Sequence, residues 1–142
     1  MSYKMPMLIT IPRTSNLDIC VLVATIDTLD DCARACIADV DSDLNEQNLS
    51  ELVECIRLCL DCADVCAATV RVTSRQTEYD ATLTKSLLET CTATCKSCGD
   101  ESRRRAQMHD HCRVCAVACR RCQQACQELL AAMNRGGVAG CA

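Results

Sequence analysis

Cysteine recurs in this chain at the period of an α-helix. Cys55, Cys59, Cys62 and Cys66 are separated by steps of four, three and four. Cys112, Cys115, Cys119, Cys122 and Cys126 follow steps of three, four, three and four. Cys91, Cys95 and Cys98 repeat the pattern, and Cys32 and Cys36 give one step of it. At about 100° per residue, the first group spans an arc of about 60° and the second about 80°. Apolar residues normally fill such a stripe. Here four segments turn thiols toward the place of a core, and the chemistry available there is ligation of soft metal ions.

An ordinary buried thiol role suits one or two cysteines, not the fourteen on these stripes. Thiolates favour copper(I), zinc and iron–sulfur clusters. Zinc usually occupies closed tetrahedral sites, commonly on turns, and iron–sulfur clusters use loop-borne cysteine runs. Neither predicts a long helical row. Copper(I) accepts two or three sulfurs, so a pair at i and i+4 holds one ion and each sulfur bridges to the next. Charge points the same way, because uncompensated buried charge is very costly. One copper(I) per thiolate leaves the core near neutral, whereas zinc on four thiolates leaves a surplus of negative charge. Silver(I) satisfies the same argument.

Beside the last stripe stand Met108, His109 and His111, just before Cys112. Met108 is four residues before Cys112 and His111 four before Cys115, so both fall on or beside the stripe. A solvated helix start is the plain reading; a thioether and two imidazoles at the mouth of a thiol-lined core are also metal ligands. Asn48 lies seven residues before Cys55 and faces the same mouth, as a helix cap or as a ligand. Cys20 is about 120° from Cys32 around its helix and Cys141 is on the C-terminal tail, so both are expected to be spectators.

The chain has 142 residues with 16 cysteines, no Phe, no Trp, and a net charge of −4. Neutral thiols behave as small hydrophobes, so a metal-free chain is expected to fold. A secreted disulfide framework is the usual meaning of so much cysteine. Against it, helical neighbours three or four apart hold their Cβ atoms about 5–6 Å apart, beyond disulfide reach of about 3.5–4.5 Å; bridges between helices stay open. The segment 1–16 carries Lys4 and Arg13 but no apolar leader, and a reducing cytoplasm is the expected setting. Short arginine clusters give no nucleic-acid signal, and no apolar run is long enough for a membrane. There is no convincing nucleophile–base set and no phosphate loop, so an enzyme is not expected.

These stripes need helices to carry them. Residues 1–15 read as an irregular arm. A first helix is predicted from Ser15 or Asn16 to Val40, with a polar break at Asp41–Asn45. Asn48 and Glu51 form the pattern of a capping box for a second helix reaching Ser74. A third runs from Tyr79 to Arg104 and a fourth from Gln107 to Asn134. Residues 16–134 thus read as an all-α, antiparallel up-down-up-down four-helix bundle with a cysteine-lined core, and 135–142 as a flexible tail. In that topology the stripes converge on one open end. The other end collects Leu17, Leu22, Val70, Val72, Leu83, Leu87, Leu88, Leu129, Leu130 and Met133 as a dry plug, so metal is expected to enter beside His109 and His111.

The segments CIRLCLDCADVC (Cys55–Cys66), CTATCKSCGDE (Cys91–Glu101) and MHDHCRVCAVACRRCQQAC (Met108–Cys126) resemble the cysteine-rich four-helix-bundle copper-binding family, and within it the cytosolic bacterial copper storage branch. The resemblance covers about residues 17–134. It implies storage of many Cu(I) ions per chain on core thiolates, protection against copper toxicity, and assembly as a homotetramer. A copper chaperone or a low-molecular-weight thiol is the expected exchange partner. The chain departs from the family at Ser102, where cysteine is common, and at Arg104, where histidine is common. The competing readings are a copper chaperone, which needs only one exposed thiol pair, and a thiol redox or metal sensor, which needs one reactive accessible cysteine.

Overall fold

The computed structural model describes residues 2–135. They form five helices and, among the described residues, no strand: α1 (Lys4–Thr10), α2 (Ile19–Leu44), α3 (Leu49–Ser74), α4 (Ala81–Arg105) and α5 (Asp110–Asn134). Helix α2 packs against α3 and α5, α4 packs against the same two, and α1 rests on α2. None of these helices is long and apolar enough to cross a membrane.

Each boundary has a local cause. Asp18 caps α2 by accepting from the backbone N–H groups of Cys20 (2.7 Å) and Val21 (3.3 Å). Ser15, one of the two expected caps, instead hydrogen-bonds the Gln76 side chain. Helix α2 also runs a turn past the expected Val40, because Asp39, Val40 and Asp43 are buried and continue the inward face. Asn48 precedes α3 but caps nothing with its side chain; its amide donates to the Glu51 carboxylate at 3.0 Å. Asp80 caps α4 by accepting from Leu83 N–H at 2.9 Å. Gly99 sits inside α4 where a Cβ would lie 3.2 Å from the Cys119 Cβ, so the residue allows α4 and α5 to approach closely.

The arm is less irregular than expected. Lys4–Thr10 is helical, with Pro6 in its first turn, where a missing N–H costs nothing. Burial of Leu8 and the ion pairs of Lys4 with Asp27 (2.7 Å) and Asp30 (3.0 Å) hold it on α2. These tertiary contacts supply what so short a helix lacks on its own.

The plug is also chemically different from the expectation. Leu8, Leu17, Leu22, Ile26, Leu29, Leu88 and Leu129 are buried, but so are Thr25, Thr69, Thr73, Thr84 and Gln76. The threonine hydroxyls donate to carbonyls one turn back, at 2.6–2.8 Å, which satisfies them without help from water. Leu83 is exposed, and Val70, Val72, Leu87, Leu130 and Met133 are half-buried. Residues 136–142, including Cys141 and most of the expected tail, lie outside the described residues.

Candidate metal centre

Inside the bundle the stripes face one another. Fourteen free cysteines from Cys32 to Cys126 are buried, none more than 1% exposed. Between α3 and α4, Sγ–Sγ distances are 3.4 Å for Cys59–Cys98, 3.7 Å for Cys62–Cys95 and 3.6 Å for Cys66–Cys91. Between α2 and α5, Cys32–Cys119 and Cys36–Cys115 are each 3.8 Å apart. Diagonal contacts close the interior, with Cys66–Cys122 at 3.8 Å and Cys36–Cys98 at 3.9 Å.

The sulfurs form overlapping ligand groups. Cys32, Cys66, Cys95 and Cys122 lie within 4.8 Å of one another, as do Cys32, Cys36, Cys62 and Cys119, and Cys36, Cys98, Cys115 and Cys119. Cys91, Cys122 and Cys126 extend the series toward the plug. Cys32, Cys36, Cys119 and Cys122 each belong to two groups, so the sites share ligands along one column.

Such a column cannot ionise freely. Hydrogen bonding with Cys115, Cys119 and Cys32, with burial behind it, pushes the Cys36 thiol up. Hydrogen bonding with Cys122 and Cys91, again with burial, does the same to Cys126. Hydrogen bonding with Cys119 moves Cys32 and Cys62 the other way. Desolvation opposes charging every sulfur at once. A cation that brings its own charge and displaces the protons removes that obstacle.

One end of the column is polar, and its carboxylates are absent from the sequence reading. Asp39 and Asp43 are buried at 1% and 0% exposure. The Cys59 and Cys55 thiols point to Asp39 Oδ2 at 3.5 and 3.9 Å, and the Cys112 thiol to Asp43 Oδ1 at 3.6 Å. His111 hydrogen-bonds Asp39 through Nδ1 and Glu46 through Nε2, the latter at 3.1 Å. Burial disfavours the His111 charge, but the bonds to Asp39 and Glu46 outweigh it and raise its pKa. Burial raises Asp39, and the His111 bond opposes the rise. Burial and the Asp39 charge push Asp43 up to about 7. A sequence signal existed: Cys32, Cys36, Asp39 and Asp43 continue the steps of four, three and four.

The other mouth candidates differ among themselves. His109 is buried, with Nδ1 3.3 Å from Glu46 and Nε2 without a hydrogen-bond partner. Its ring centroid is 5.3 Å from that of His111. Met108 is 71% exposed, and the half-buried Asn48 is engaged with Glu51. Ser102 is buried with Oγ 3.9 Å from Cys55 Sγ and 4.0 Å from Cys59 Sγ. Arg104 reaches away to the buried Glu101 carboxylate at 2.9 Å. Cys20 is off the column, in a surface groove with Ala24, Thr28, Arg121 and Ala125.

A helical bundle lined by shared thiol ligands defines a soft-metal-binding protein rather than a disulfide scaffold. The chain belongs to the copper storage protein family, whose model matches residues 20–131. It is similar to the copper storage protein Ccsp of Streptomyces lividans, solved with 10 copper equivalents. The identity is 48%, with a TM-score of 0.88, over 90% of this chain and 98% of that one. Cu(I)-bound BsCsp3 is a more distant structural relative, at 33% identity and TM-score 0.70 over 78% of this chain and 98% of that one. The cysteine-rich protein YhjQ of Bacillus subtilis is 36% identical over 108 residues, 76% of this chain and 94% of that protein.

Proposed function

We propose that this chain is a cytosolic copper store that holds many Cu(I) ions on the column thiolates Cys32, Cys36, Cys55, Cys59, Cys62, Cys66, Cys91, Cys95, Cys98, Cys112, Cys115, Cys119, Cys122 and Cys126, and so limits copper toxicity. The overlap of the sulfur groups carries the reading. Sharing of Cys32, Cys36, Cys119 and Cys122 between groups suits bridging thiolates and a high load. A chaperone needs an accessible pair, and burial of all fourteen thiols weighs against that reading. The same burial weighs against a redox sensor. A Streptomyces relative described as a cytosolic copper storage protein, with five coppers, supports the compartment and the cargo.

The bundle is read as antiparallel and up-down-up-down over residues 16–134, with 1–15 as an appended arm. Contacts that ascend in one helix and descend in its neighbour support this: Cys32 with Cys62 and Asp39 with Cys55, Cys62 with Cys95 and Cys59 with Cys98. His109 and His111 then serve uptake at the open end, with Met108 and Asn48 as outlying candidates. Assembly as a homotetramer, exchange with a copper chaperone or a small thiol, and the lack of catalysis belong to the same reading. Replacing Cys36, Cys62 and Cys119 with serine tests it. Copper(I) capacity should fall by several ions while the helical circular dichroism signal persists. An unchanged capacity would overturn the assignment of the column.

A further inference from the structure

The cysteines divide into two sets. Fourteen are free and line the column, whereas Cys20 is held in a disulfide. The chain has 16 cysteines, so the remaining one is Cys141, outside the described residues. Cys20 is half-buried in the first turn of α2. It borders a groove of about 450 Å³ between α2 and α5, walled by Ala24, Thr28, Gln124, Ala125 and Glu128.

Reach and size both suit a return of the C-terminal segment to this groove. Helix α5 ends at Asn134, beyond Glu128 by about 9 Å along the axis. The chain from Arg135 to Cys141 spans up to about 23 Å when extended, enough to turn and come back to the level of Cys20. Residues 136–140 are Gly, Gly, Val, Ala and Gly. Such small side chains fit against Ala24 and Ala125, and glycines directly after a helix allow the chain to reverse.

We propose that the segment 136–142 docks in the α2–α5 groove and that Cys141 is the partner of Cys20, which gives the chain a reversible disulfide latch outside the copper column. A disulfide in a reducing compartment is usually transient and redox-sensing. The oxidant is a low-molecular-weight disulfide. One thiolate of the pair attacks it and releases one small thiol; the second thiolate attacks the mixed disulfide and releases the other. The pair gives up two protons and two electrons, and the small disulfide leaves as two thiols. The closed latch ties the start of α2 to the chain end beyond α5. It closes a loop around almost the whole bundle, the case in which a cross-link constrains the unfolded chain most. Cys20 and Cys32 are about 18 Å apart along α2, so the latch acts on the fold and leaves the column sulfurs untouched.

The test uses the full reduced chain, loaded with copper(I) so that the column thiols are engaged. It is treated anaerobically with oxidised glutathione and stripped of copper by a chelator. One portion is alkylated in denaturant and mapped by mass spectrometry. It should carry fourteen labels on 16 cysteines, with one peptide pair joining Cys20 to Cys141 within a single chain. Sixteen labels, a lasting glutathione adduct, a Cys20 bond to a column cysteine, or a bond between two chains each overturns the inference, and that readout needs no variant to fold. On the other portion, oxidation should raise the thermal unfolding midpoint of the wild type by about 5–15 °C. Cys141→Ser should unfold with the reduced wild type and show no rise on oxidation. An equal rise in that variant, or none in the wild type, overturns the latch. Copper(I) capacity should be the same with the latch open or closed, and a difference overturns its separation from the column. A low capacity in both forms defeats the storage reading alone, while the peptide map still decides the latch.

Discussion

Ser102 stands at the next inward position after Cys98, beside two column sulfurs, but its hydroxyl is a poor ligand for a soft ion. Ser102→Cys should therefore raise copper(I) capacity by one ion, read by chelator competition. An unchanged capacity would show that the column ends at Cys98 on α4. Asp43 makes a different prediction. Its folded pKa is raised to about 7, against about 3.9 in an unfolded chain. Between those values the folded state binds the extra proton, so the stability it confers is present at low pH and lost as pH rises through about 7. His111, also raised, adds to the same slope. The urea midpoint of the reduced, metal-free chain should fall from pH 5 to pH 8, and Asp43→Asn should flatten the fall. A rising midpoint would contradict the assignment. The cysteines were legible in the sequence because one unusual residue type repeated at one period. Asp39 and Asp43 continue the same steps, but as carboxylates beside a polar break they resemble a solvated helix end until α3 and α5 bury them.

At the level of the helices, the sulfur stripes together with caps and polar breaks placed α2 to α5 to within about a turn of their observed ends. Misplaced boundaries had tertiary causes: Ser15 is drawn to Gln76, and the buried Asp39 and Asp43 lengthen α2. Helix α1 was illegible because packing on α2, rather than intrinsic propensity, holds it. Gly99 is a helix-weakening residue in sequence and a point of close contact in the fold. Helix direction announced the plug by gathering Leu, Val and Met at one end, but its buried threonines carry no apolar signal and bond to carbonyls of their own helices. The plug and the column should be separable energetically. Leu129 is fully buried, so Leu129→Ala should cost the metal-free chain about 2–5 kcal/mol in denaturant unfolding. Copper(I) capacity should stay at the wild-type value. A parallel loss of capacity at temperatures where the variant is folded would show that the plug shapes the ligand set.

For the whole molecule, the two ends divide the work. Apolar residues and self-bonded threonines fill one end and give the metal-free chain a core, while the other end sets Asp39, Asp43, His109 and His111 beside the buried sulfurs. Storage then depends on the number of buried ligands and on their sharing, and no single residue supplies it. The sequence made that legible through counting, since fourteen stripe thiols exceed what one site needs. His109, His111 and Cys112 were legible at the mouth, but Asp39 and Glu46 were not, because they meet His111 only in the packed bundle. The most direct test is an anaerobic copper(I) titration of the reduced wild-type chain against a chromophoric chelator. The account predicts saturation at ten or more ions per chain, at least the 10 equivalents loaded into the Streptomyces relative. Saturation at a single ion on one thiol pair would contradict it.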